Sequence, residues 1–331
     1  MSAGDVSYLL GRAHGIISKV LTKSNLSLLL TSKNLTELRA AFTQTPYDSI
    51  IGDLNFETQI SEVSRRLKNS YSKHVVNFYN QSSSSSLRSK IQLYSERYNA
   101  ENLRIILHGL HVGMEQEDIV KRLIPVAGYS FEYYTKLLEK SIQEIIETQK
   151  DTSLLRNLRK AFEEFRNTDR FTPIESALDQ YVYQILPKVS KYYVTYVNMK
   201  NIISLCRCIT LNVPAYRYIL PTKFTARALN ATTISEVLEM YNFPPYQDVF
   251  SKYIGQKEAP LHEFEFAVER YLLKKWRRIF RLGSVLESDS IIGFFELKLA
   301  EAMDIVRIIV GTNAGFSEQE IRESLLYYSL E

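Results

Sequence analysis

Apolar residues recur at intervals of three and four along most of the chain. The pattern is clear at Leu155, Leu158 and Phe162, and again at Phe264 and Val268. This spacing is typical of helices with one buried face, whereas the two-residue alternation of strands is scarce. The sequence therefore predicts an all-α fold of long helices. The expected breaks between them fall at Pro46, Pro125, Pro173, Pro221 and Pro244-Pro245.

A helix-start motif occurs three times. In each copy a capping residue is followed three positions later by Glu, so the cap oxygen can accept from a free amide and the carboxylate can reach back. The Glu also lies at the positive end of the helix dipole. The pairs are Asn34 with Glu37, Ser141 with Glu144, and Thr233 with Glu236. A leucine lies four residues before each capping residue, at Leu30, Leu137 and Leu229. A further pair of the same kind, Ser317 with Glu320, follows the third copy.

Two further elements follow in the same order in each copy. The second element is an apolar residue and Glu with another apolar residue three positions after the Glu, which predicts one apolar stripe on one helix. Its copies are Phe56-Glu57 with Ile60, Ile174-Glu175 with Leu178, and Phe264-Glu265 with Val268. The third element is the most apolar part of each copy, at 102–107, 201–205 and 304–309, and it predicts buried helices.

Glycine pairs close the first and third of these apolar helices. Gly109 with Gly113 and Gly311 with Gly315 are related by a constant offset of 202 residues, and Asn212 has the corresponding place in the second copy. Gly and Asn are the residues that best adopt the left-handed backbone at a helix end, so one C-terminal cap is expected three times. The same offset relates Ile119 and Leu123 to Ile321 and Leu325.

Whole copies are spaced by roughly a hundred residues, which is the size of a domain. The sequence therefore predicts three helical domains, at 1–125, 126–221 and 222–331. Chance reuse of a few residue types is the alternative, and the constant order of the three elements argues against it. A variable stretch precedes each apolar helix, at 82–86, 192–197 and 281–290. The first is a serine run, which is expected to be an exposed, mobile joint.

Composition narrows the class of protein. The 331 residues are 45% hydrophobic and 24% charged, which excludes disorder, and the net charge of +4 argues against a nucleic-acid-binding protein. Cys206 and Cys208 are two residues apart on one expected helix, so we expect them to form neither a disulfide nor a four-ligand zinc site. This use of cysteine fits a protein of the reducing cytosol. No apolar run is long enough to span a membrane, and the first residues lack a secretory signal pattern.

Candidate chemistry is scarce. The glycine pairs end helices, so the geometry of a phosphate-binding loop is missing. His108 and His111 could share a helix face, but no carboxylate completes a metal site, and a packing role is expected. His262-Glu263 lacks the second His of a zinc-protease helix. The sequence therefore indicates no catalytic, cofactor-binding or metal-binding residue, no cofactor, and a protein that is not an enzyme.

A basic cluster occupies the end of one expected helix. Three of its members follow helical spacing and could meet an acidic partner. The same helix begins with Glu263, Glu265 and Glu269. The helix dipole favours acidic residues at the N-terminal end of a helix and basic residues at its C-terminal end. A solvated face is therefore the preferred interpretation and a binding patch the alternative. The cluster comprises Arg270, Lys274, Lys275, Arg277, Arg278 and Arg281.

The order of these motifs resembles a known family. Segment 292–301 leading into 304–315 and 317–325, the Asn102-Leu103-Arg104 helix, and the opening stretch with Leu28-Leu29-Leu30 resemble the C subunit of archaeal-type (A-type/V-type) ATP synthases. That protein is a relative of the d subunit of the eukaryotic vacuolar ATPase. The last apolar helix departs from the family, which tends to show Asn-Leu-Arg where this chain has Asp304-Ile305-Val306 and then Arg307.

The resemblance implies three similar helical bundles around a pseudo-three-fold axis, forming a funnel. It implies a non-catalytic central-stalk subunit that couples the central-shaft subunits to the membrane rotor-ring subunits during ATP-linked transport of protons or sodium ions. The chain would be peripheral, held on the cytoplasmic face of the membrane by the ATPase complex. The alternatives are a helical scaffold that binds other proteins without an ATPase role, and an all-α enzyme with an unrecognised site.

Overall fold

The computed structural model describes residues 3–213, 222, 224–255, 261–283 and 287–330. Over these residues the chain forms α-helices and short 3-10 helices and no strand, which confirms the predicted all-α fold. The α-helices are α1 (Ala3–Ile17), α2 (Lys23–Leu30), α3 (Leu35–Phe42), α4 (Asp48–Ile51), α5 (Ile60–Gln81), α6 (Ser85–His111), α7 (Gln116–Arg122), α8 (Phe131–Leu137), α9 (Ile142–Glu147), α10 (Thr152–Thr168), α11 (Thr172–Val189), α12 (Tyr192–Leu211), α13 (Ile234–Met240), α14 (Gln247–Phe250), α15 (Leu261–Leu282), α16 (Asp289–Asn313) and α17 (Glu318–Ser324).

Most of the predicted proline breaks separate helices. Pro46 lies between α3 and α4, Pro125 between α7 and α8, and Pro244-Pro245 between α13 and α14. Pro173 lies in the first turn of α11, where its missing amide has no helical partner to lose. Pro221 lies outside the described residues.

The chain divides into two compact units. Unit 1 comprises Met1–Ile91, Ile124–Gly128 and Leu273–Glu331, and unit 2 comprises Gln92–Leu123 and Tyr129–Leu272. Unit 1 therefore combines parts of the first and third expected domains, whereas unit 2 includes most of the second. The boundaries 1–125, 126–221 and 222–331 stay a prediction about the repeats in the sequence.

The three most apolar segments lie in α6, α12 and α16, and they are buried as predicted. Their long apolar side chains have almost no contact with solvent, so each helix carries part of a hydrophobic core. The buried residues are Leu103, Ile106 and Leu107 in α6, Ile202, Ile203 and Leu205 in α12, and Ile305, Ile308 and Ile309 in α16.

The helix starts follow the predicted capping motif. Ser141 and Ser317 each accept from the amide three residues later, and the Glu at that place accepts from the amide of the cap, at 2.8 Å in both copies. Asn34 and Thr233 also cap their helices, but the Glu accepts from the amide one residue before the cap. Both arrangements satisfy amides that the helix itself leaves without partners.

The same C-terminal cap closes α6, α12 and α16, as predicted. Gly113, Asn212 and Gly315 have φ values of 67°, 50° and 75°, in the left-handed region that favours these residue types. The amide of the next residue then donates to a carbonyl five positions earlier, which is the Schellman arrangement. The three bonds are Met114 to Gly109 at 2.8 Å, Val213 to Cys208 at 2.9 Å and Phe316 to Gly311 at 2.9 Å.

Gly109 and Gly311 also allow close helix packing. A Cβ atom on Gly109 would lie 2.7 Å from the side chain of Ile119, and one on Gly311 would lie 2.7 Å from that of Ile321. Both isoleucines are buried on the short helix that follows the cap. The repeated Gly and Ile at one offset in the sequence therefore mark one repeated contact, made once in unit 2 and once in unit 1.

The core of unit 1 joins segments that are distant in sequence. Leu38 and Phe42 of α3 belong to the same buried cluster as Ile305 and Ile308 of α16. The first and third expected domains thus share this core. A second cluster, in unit 2, lies within one continuous stretch, from Met199 in α12 to Val268 in α15.

The prediction of an apolar stripe in all three copies is wrong for the first copy. Phe56 lies in a turn, because α5 begins only at Ile60. The stripe is present in α11 at Ile174 and Leu178 and in α15 at Phe264 and Val268. Two of the three copies therefore have the predicted buried face.

The serine run is exposed at Ser83, Ser85 and Ser86, as expected, but Ser82 is buried. The carboxylate of Asp5 accepts from the Ser82 hydroxyl at 2.7 Å and from the amides of Ser83 and Ser84 at 3.2 and 3.0 Å. The run therefore connects α5 to α6 through a fixed turn. The second variable stretch forms the start of α12, and the third lies partly outside the described residues.

Candidate functional site

Polar side chains interrupt the buried faces of α6, α12 and α16 at equivalent positions. Residues three apart share one face of a helix, and buried polar groups on such a face need hydrogen-bond partners. The first position holds Asn99, Asn198 and Glu301, and the second holds Asn102, Asn201 and Asp304. The three residues at the second position and Glu301 are fully buried.

The first position contacts a tyrosine in all three copies. Asn99 accepts from the hydroxyl of Tyr134 at 3.0 Å, and the amide of Asn198 donates to the hydroxyl of Tyr246 at 2.9 Å. Glu301 accepts from the hydroxyl of Tyr47. Tyr47 and Tyr246 each follow a capping residue by thirteen positions. In these two copies the contact therefore ties a buried helix to the segment that begins with a capping motif.

The third copy of this contact is ionic. The ammonium of Lys298 donates to Glu301 at 2.6 Å and to the hydroxyl of Tyr47 at 3.1 Å. The side chain of Lys298 is 12% exposed and that of Glu301 is 0% exposed. Tyr328 donates a weaker hydrogen bond to the same carboxylate, at 3.4 Å. Removal of one charge would leave the other buried without its partner, so this pair fixes the packing of α16.

Asp304 binds the segment that follows α17. Its carboxylate accepts from the amide of Leu326 at 2.8 and 3.1 Å, from that of Tyr327 at 2.7 Å and from that of Tyr328 at 3.1 Å. Burial raises the pKa of Asp304, and the amide donors and Arg307 oppose this effect. An ionised carboxylate only accepts hydrogen bonds, so it can satisfy three backbone amides that donate to the same side chain.

Arg307 has an internal partner. Its guanidinium donates to Asp304 at 2.7 Å, from one turn further along α16. The displaced arginine of the last apolar helix therefore belongs to the anchor around Asp304.

Unit 2 contains a buried carboxylate without an ion-pair partner among the described residues. Glu96 accepts from the hydroxyl of Tyr129 at 2.7 Å, from Asn99 at 2.9 Å and from Tyr181 at 3.4 Å. Burial raises the pKa of Glu96, and these hydrogen bonds oppose the effect. The cluster joins α6 to α11 through polar groups inside unit 2.

The histidines and cysteines noted in the sequence have packing roles. His108 contacts the ring of Phe171 at 5.1 Å between centroids, and His111 contacts Phe165 at 5.0 Å. Cys206 and Cys208 are free and buried in α12, and burial raises the pKa of Cys206 to about 12. A thiol with so high a pKa is a poor nucleophile at neutral pH. Within the described ranges no three His, Cys, Asp or Glu residues are grouped as a metal site would require.

The acidic half of α15 is less solvated than expected. Glu265 forms an ion pair with Arg207 at 2.8 Å, and Glu269 forms one with Lys200 at 2.7 Å, so both connect α15 to α12. Of the basic cluster, Lys274, Lys275, Arg278 and Arg281 are exposed.

Among the helices of the described residues, none combines the length and the apolar character that a membrane crossing requires. Comparison with known proteins then decides the family. The profile of the ATP synthase (C/AC39) subunit family matches residues 9–324. The chain belongs to the ATP synthase (C/AC39) subunit family. The match includes all three buried helices and their capping motifs.

Curated relatives in this family are each named as the C subunit of an A-type ATP synthase. The chain is 26% identical to that of Halorubrum lacusprofundi, over 74% of this chain and 75% of the relative. It is 24% identical to that of Methanosarcina mazei, over 98% of this chain and 93% of the relative. It is 23% identical to that of Methanobrevibacter smithii, over 72% of this chain and 68% of the relative.

Sequence reasoning missed most residues of the polar anchors in this C/AC39 chain. In the sequence, Asp304 and Arg307 stand out only as a departure from the family pattern, Lys298 and Glu301 only as members of segment 292–301, and Tyr47 not at all. A signal was present, because aligning the three buried helices places Glu301 opposite Asn99 and Asn198. A charged residue inside a buried helix needs partners, and Lys298 lies one turn away on the same helix, but Tyr47 is distant in the chain.

The C/AC39 chain should lose stability in acid partly through His74. This half-buried imidazole lies near Lys298 and Arg12, and burial, followed by these two charges, lowers its pKa from 6.5 to about 4. The unfolded state therefore binds a proton that the folded state rejects, so stability falls as the pH drops from about 6.5 towards about 4. Between pH 7 and pH 4.5 the wild type should lose about 2 kcal/mol more than His74→Gln, measured by urea unfolding. Equal losses in both proteins would show that His74 does not titrate in this way.

Proposed function

We propose that the chain is a non-catalytic central-stalk subunit of a rotary A/V-type ATP synthase or ATPase. In this role it is the socket that couples the central shaft to the membrane rotor ring, so that ATP synthesis or hydrolysis is linked to the transport of protons or sodium ions. The observation that carries the proposal is the family match across residues 9–324. The names of the curated relatives support it.

The proposed architecture is three similar helical bundles in a pseudo-three-fold arrangement that forms a funnel. Support comes from features that occur three times at equivalent places. Each buried helix ends in the same left-handed cap, at Gly113, Asn212 and Gly315. Each also contacts a tyrosine through the same position of its buried face. Repetition of both local geometry and side-chain contact favours three related bundles over chance reuse of residue types.

A coupling subunit must transmit force without internal slippage. Moving one charge through roughly 150 mV supplies about 3.5 kcal/mol, which is a sizeable part of the stability of one domain. Contacts with a single satisfied geometry resist sliding better than apolar packing alone, because a shifted register leaves polar groups without partners. The contacts of Glu301 and Asp304 have this property within unit 1.

The proposed partners are the central-shaft subunits and the rotor-ring subunits of the same complex. The proposed location is the cytoplasmic face of the membrane, where the chain is peripheral and held through the complex. No bond-making step is assigned to it. Its contribution to ATP-linked ion transport is mechanical, and a change in this chain should alter coupling and leave the chemistry of the catalytic subunits intact.

The test combines co-purification with a coupling assay. The full chain, tagged before α1, is expressed in its own cells in place of the untagged protein, and membranes are extracted with mild detergent. Shaft and ring subunits are expected to co-purify with it. Inverted membrane vesicles from cells without the chain should lose ATP-driven ion uptake, while their detergent-released catalytic subunits still hydrolyse ATP.

Re-addition of the purified chain should restore ion uptake, which provides the internal control. Unchanged ion uptake in vesicles without the chain would contradict the coupling role. Recovery of other proteins without any ATPase subunit would instead support the helical scaffold. Full-length protein is needed throughout, because removal of residues 304–331 would take away part of the unit 1 core.

A further inference from the structure

Three cations on α15 form a row on one helix face. Lys274, Arg278 and Arg281 follow the i, i+4, i+7 spacing, and all three are exposed. None of them forms an ion pair with a described residue. These three residues are called the basic row. It lies in the part of α15 that belongs to unit 1.

The helix dipole does not account for the whole row. Favourable interaction of cations with the C-terminal end of a helix is confined to the last turn. In α15, which ends at Leu282, the last turn contains Arg281 and not Arg278 or Lys274. The acidic residues at the start of the helix are also engaged, since Glu265 and Glu269 pair with α12. The helix dipole therefore accounts for Arg281 but not for Lys274 or Arg278.

Several other helices pair an exposed cation with a carboxylate of the same helix. A carboxylate one turn away neutralises the cation and adds modest stability. Examples are Lys121 with Asp118, Lys136 with Glu132 and Arg322 with Glu318. Within α15 the basic row has no such carboxylate, because residues 270, 271, 275, 277 and 282 are Arg, Tyr, Lys, Arg and Leu. Among the described residues, the three cations of the basic row therefore have no ion-pair partner.

Charge is unevenly distributed between the two units. Unit 1 contains 19 Lys and Arg against 15 Asp and Glu, whereas unit 2 contains 22 of each. The net charge of the chain is thus carried by unit 1. At the end of the basic row, Leu282 is 78% exposed. A partner for this face must therefore be acidic, with an apolar contact at one end.

We propose that the basic row docks an acidic helix of another subunit of the ATP synthase. Carboxylates at the same i, i+4, i+7 spacing would match the cations, which are about 6 Å and about 4.5 Å apart along the helix axis. Such complementarity determines which partner binds and how fast, more than how tightly. The proposal names a partner chemistry for the coupling subunit and rests on the proposed function.

A protein partner fits this face better than a lipid surface. A helix that lies on a membrane inserts an apolar face between the lipids. The apolar face of α15 in unit 1 is already used, because Leu273, Trp276 and Phe280 are buried in the protein. Only the cations and Leu282 remain to contact a bilayer, which is too little for stable binding at about 1 kcal/mol per cation.

The test uses a matched pair of charge reversals in the full-length tagged chain. K274E/R278E changes one Lys and one Arg four residues apart on α15. R156E/K160E changes one Arg and one Lys four residues apart on α10, where both are exposed and without an ion pair to a described residue. Both variants alter the net charge equally. Circular dichroism and thermal melting should show that both fold like the wild type.

Co-purification from membranes is then compared among the three proteins. The wild type and R156E/K160E should recover equal amounts of shaft and ring subunits, and K274E/R278E should recover on the order of tenfold less. A photo-cross-linking residue at position 278 should link to a helical segment with acidic residues one turn apart. A cross-link to a segment without them would overturn the proposal.

The remaining outcomes separate the proposal from its alternatives. Equal recovery with K274E/R278E would overturn the docking surface and leave the proposed function standing. Equal losses in both variants would reveal a general charge effect and also overturn it. No ATPase subunits with the wild type would overturn the function and this inference together. Flotation of the wild type, but not K274E/R278E, with vesicles of equal phosphatidylcholine and phosphatidylglycerol would assign the row to lipid instead.

Discussion

Asp304→Ala is expected to lower the free energy of unfolding by about 3 to 5 kcal/mol. The reason is that three amides, of Leu326, Tyr327 and Tyr328, lose their acceptor in a buried place, and Arg307 loses its ion-pair partner. Urea unfolding measures the loss. Hydrogen exchange of these amides should accelerate even under conditions in which the rest of unit 1 stays folded, because the carboxylate is what holds them.

Two controls define the effect of Asp304→Ala. Asp304→Asn keeps one oxygen acceptor but introduces an amide that faces donors, so it should cost less than the alanine variant. Asp179→Ala removes a carboxylate that is 56% exposed and paired with Arg104, and it should have a much smaller effect. If Asp304→Ala is no more damaging than Asp179→Ala, the anchor contributes little to stability.

Glu301→Ala is expected to cost a similar amount, about 3 to 5 kcal/mol, because it leaves the ammonium of Lys298 buried without its counterion. The hydroxyl of Tyr47 also loses its acceptor. The double variant Lys298→Met/Glu301→Leu removes both charges at similar side-chain volume. It should recover most of the lost stability, since no buried charge then remains without a partner. Urea unfolding of Lys298→Met, Glu301→Leu and the double variant gives the coupling energy.

An exposed ion pair provides the comparison for this cycle. Arg322 and Glu318 pair on α17 with exposed fractions of 53% and 46%, so Glu318→Ala should change stability far less than Glu301→Ala. A double variant at Lys298 and Glu301 that is as unstable as Glu301→Ala would contradict the expectation. It would mean that the packing of side chains around α16, and not the unpaired charge, causes the loss of stability.

Local features of the fold could be predicted well from the sequence. Capping at Ser141 and the left-handed caps at Gly113 and Asn212 depend on residues within one or two turns, and their chemistry can be recognised in a short segment. Burial of the apolar helices was equally clear, because periodicity reports directly on which face meets the core. Among the predicted apolar stripes the failure is at Phe56, which resembles its counterparts in sequence but precedes its helix.

Contacts between distant segments could not be predicted in the same way. The hydrogen bond between Tyr47 and Glu301 joins residues 254 positions apart, and that between Ser82 and Asp5 joins residues 77 apart. The packing of helices against one another determines such pairs. Hydrophobic periodicity shows which face of a helix is buried, but not which other helix it contacts. The sharing of one core by α3 and α16 has the same origin. Most of the candidate site consists of such long-range pairs, which is why the sequence alone indicated so few of its residues.

The shared core of unit 1 implies an order of events on the ribosome. Leu38 and Phe42 are synthesised more than two hundred residues before Ile305 and Ile308, with which they are buried. At about 5 to 20 residues per second, the early helices wait roughly 10 to 50 seconds for their partner. The cluster between α12 and α15 needs no such delay, because its members emerge within one stretch. Nascent chains should therefore expose the first repeat to chaperones until α16 has been synthesised.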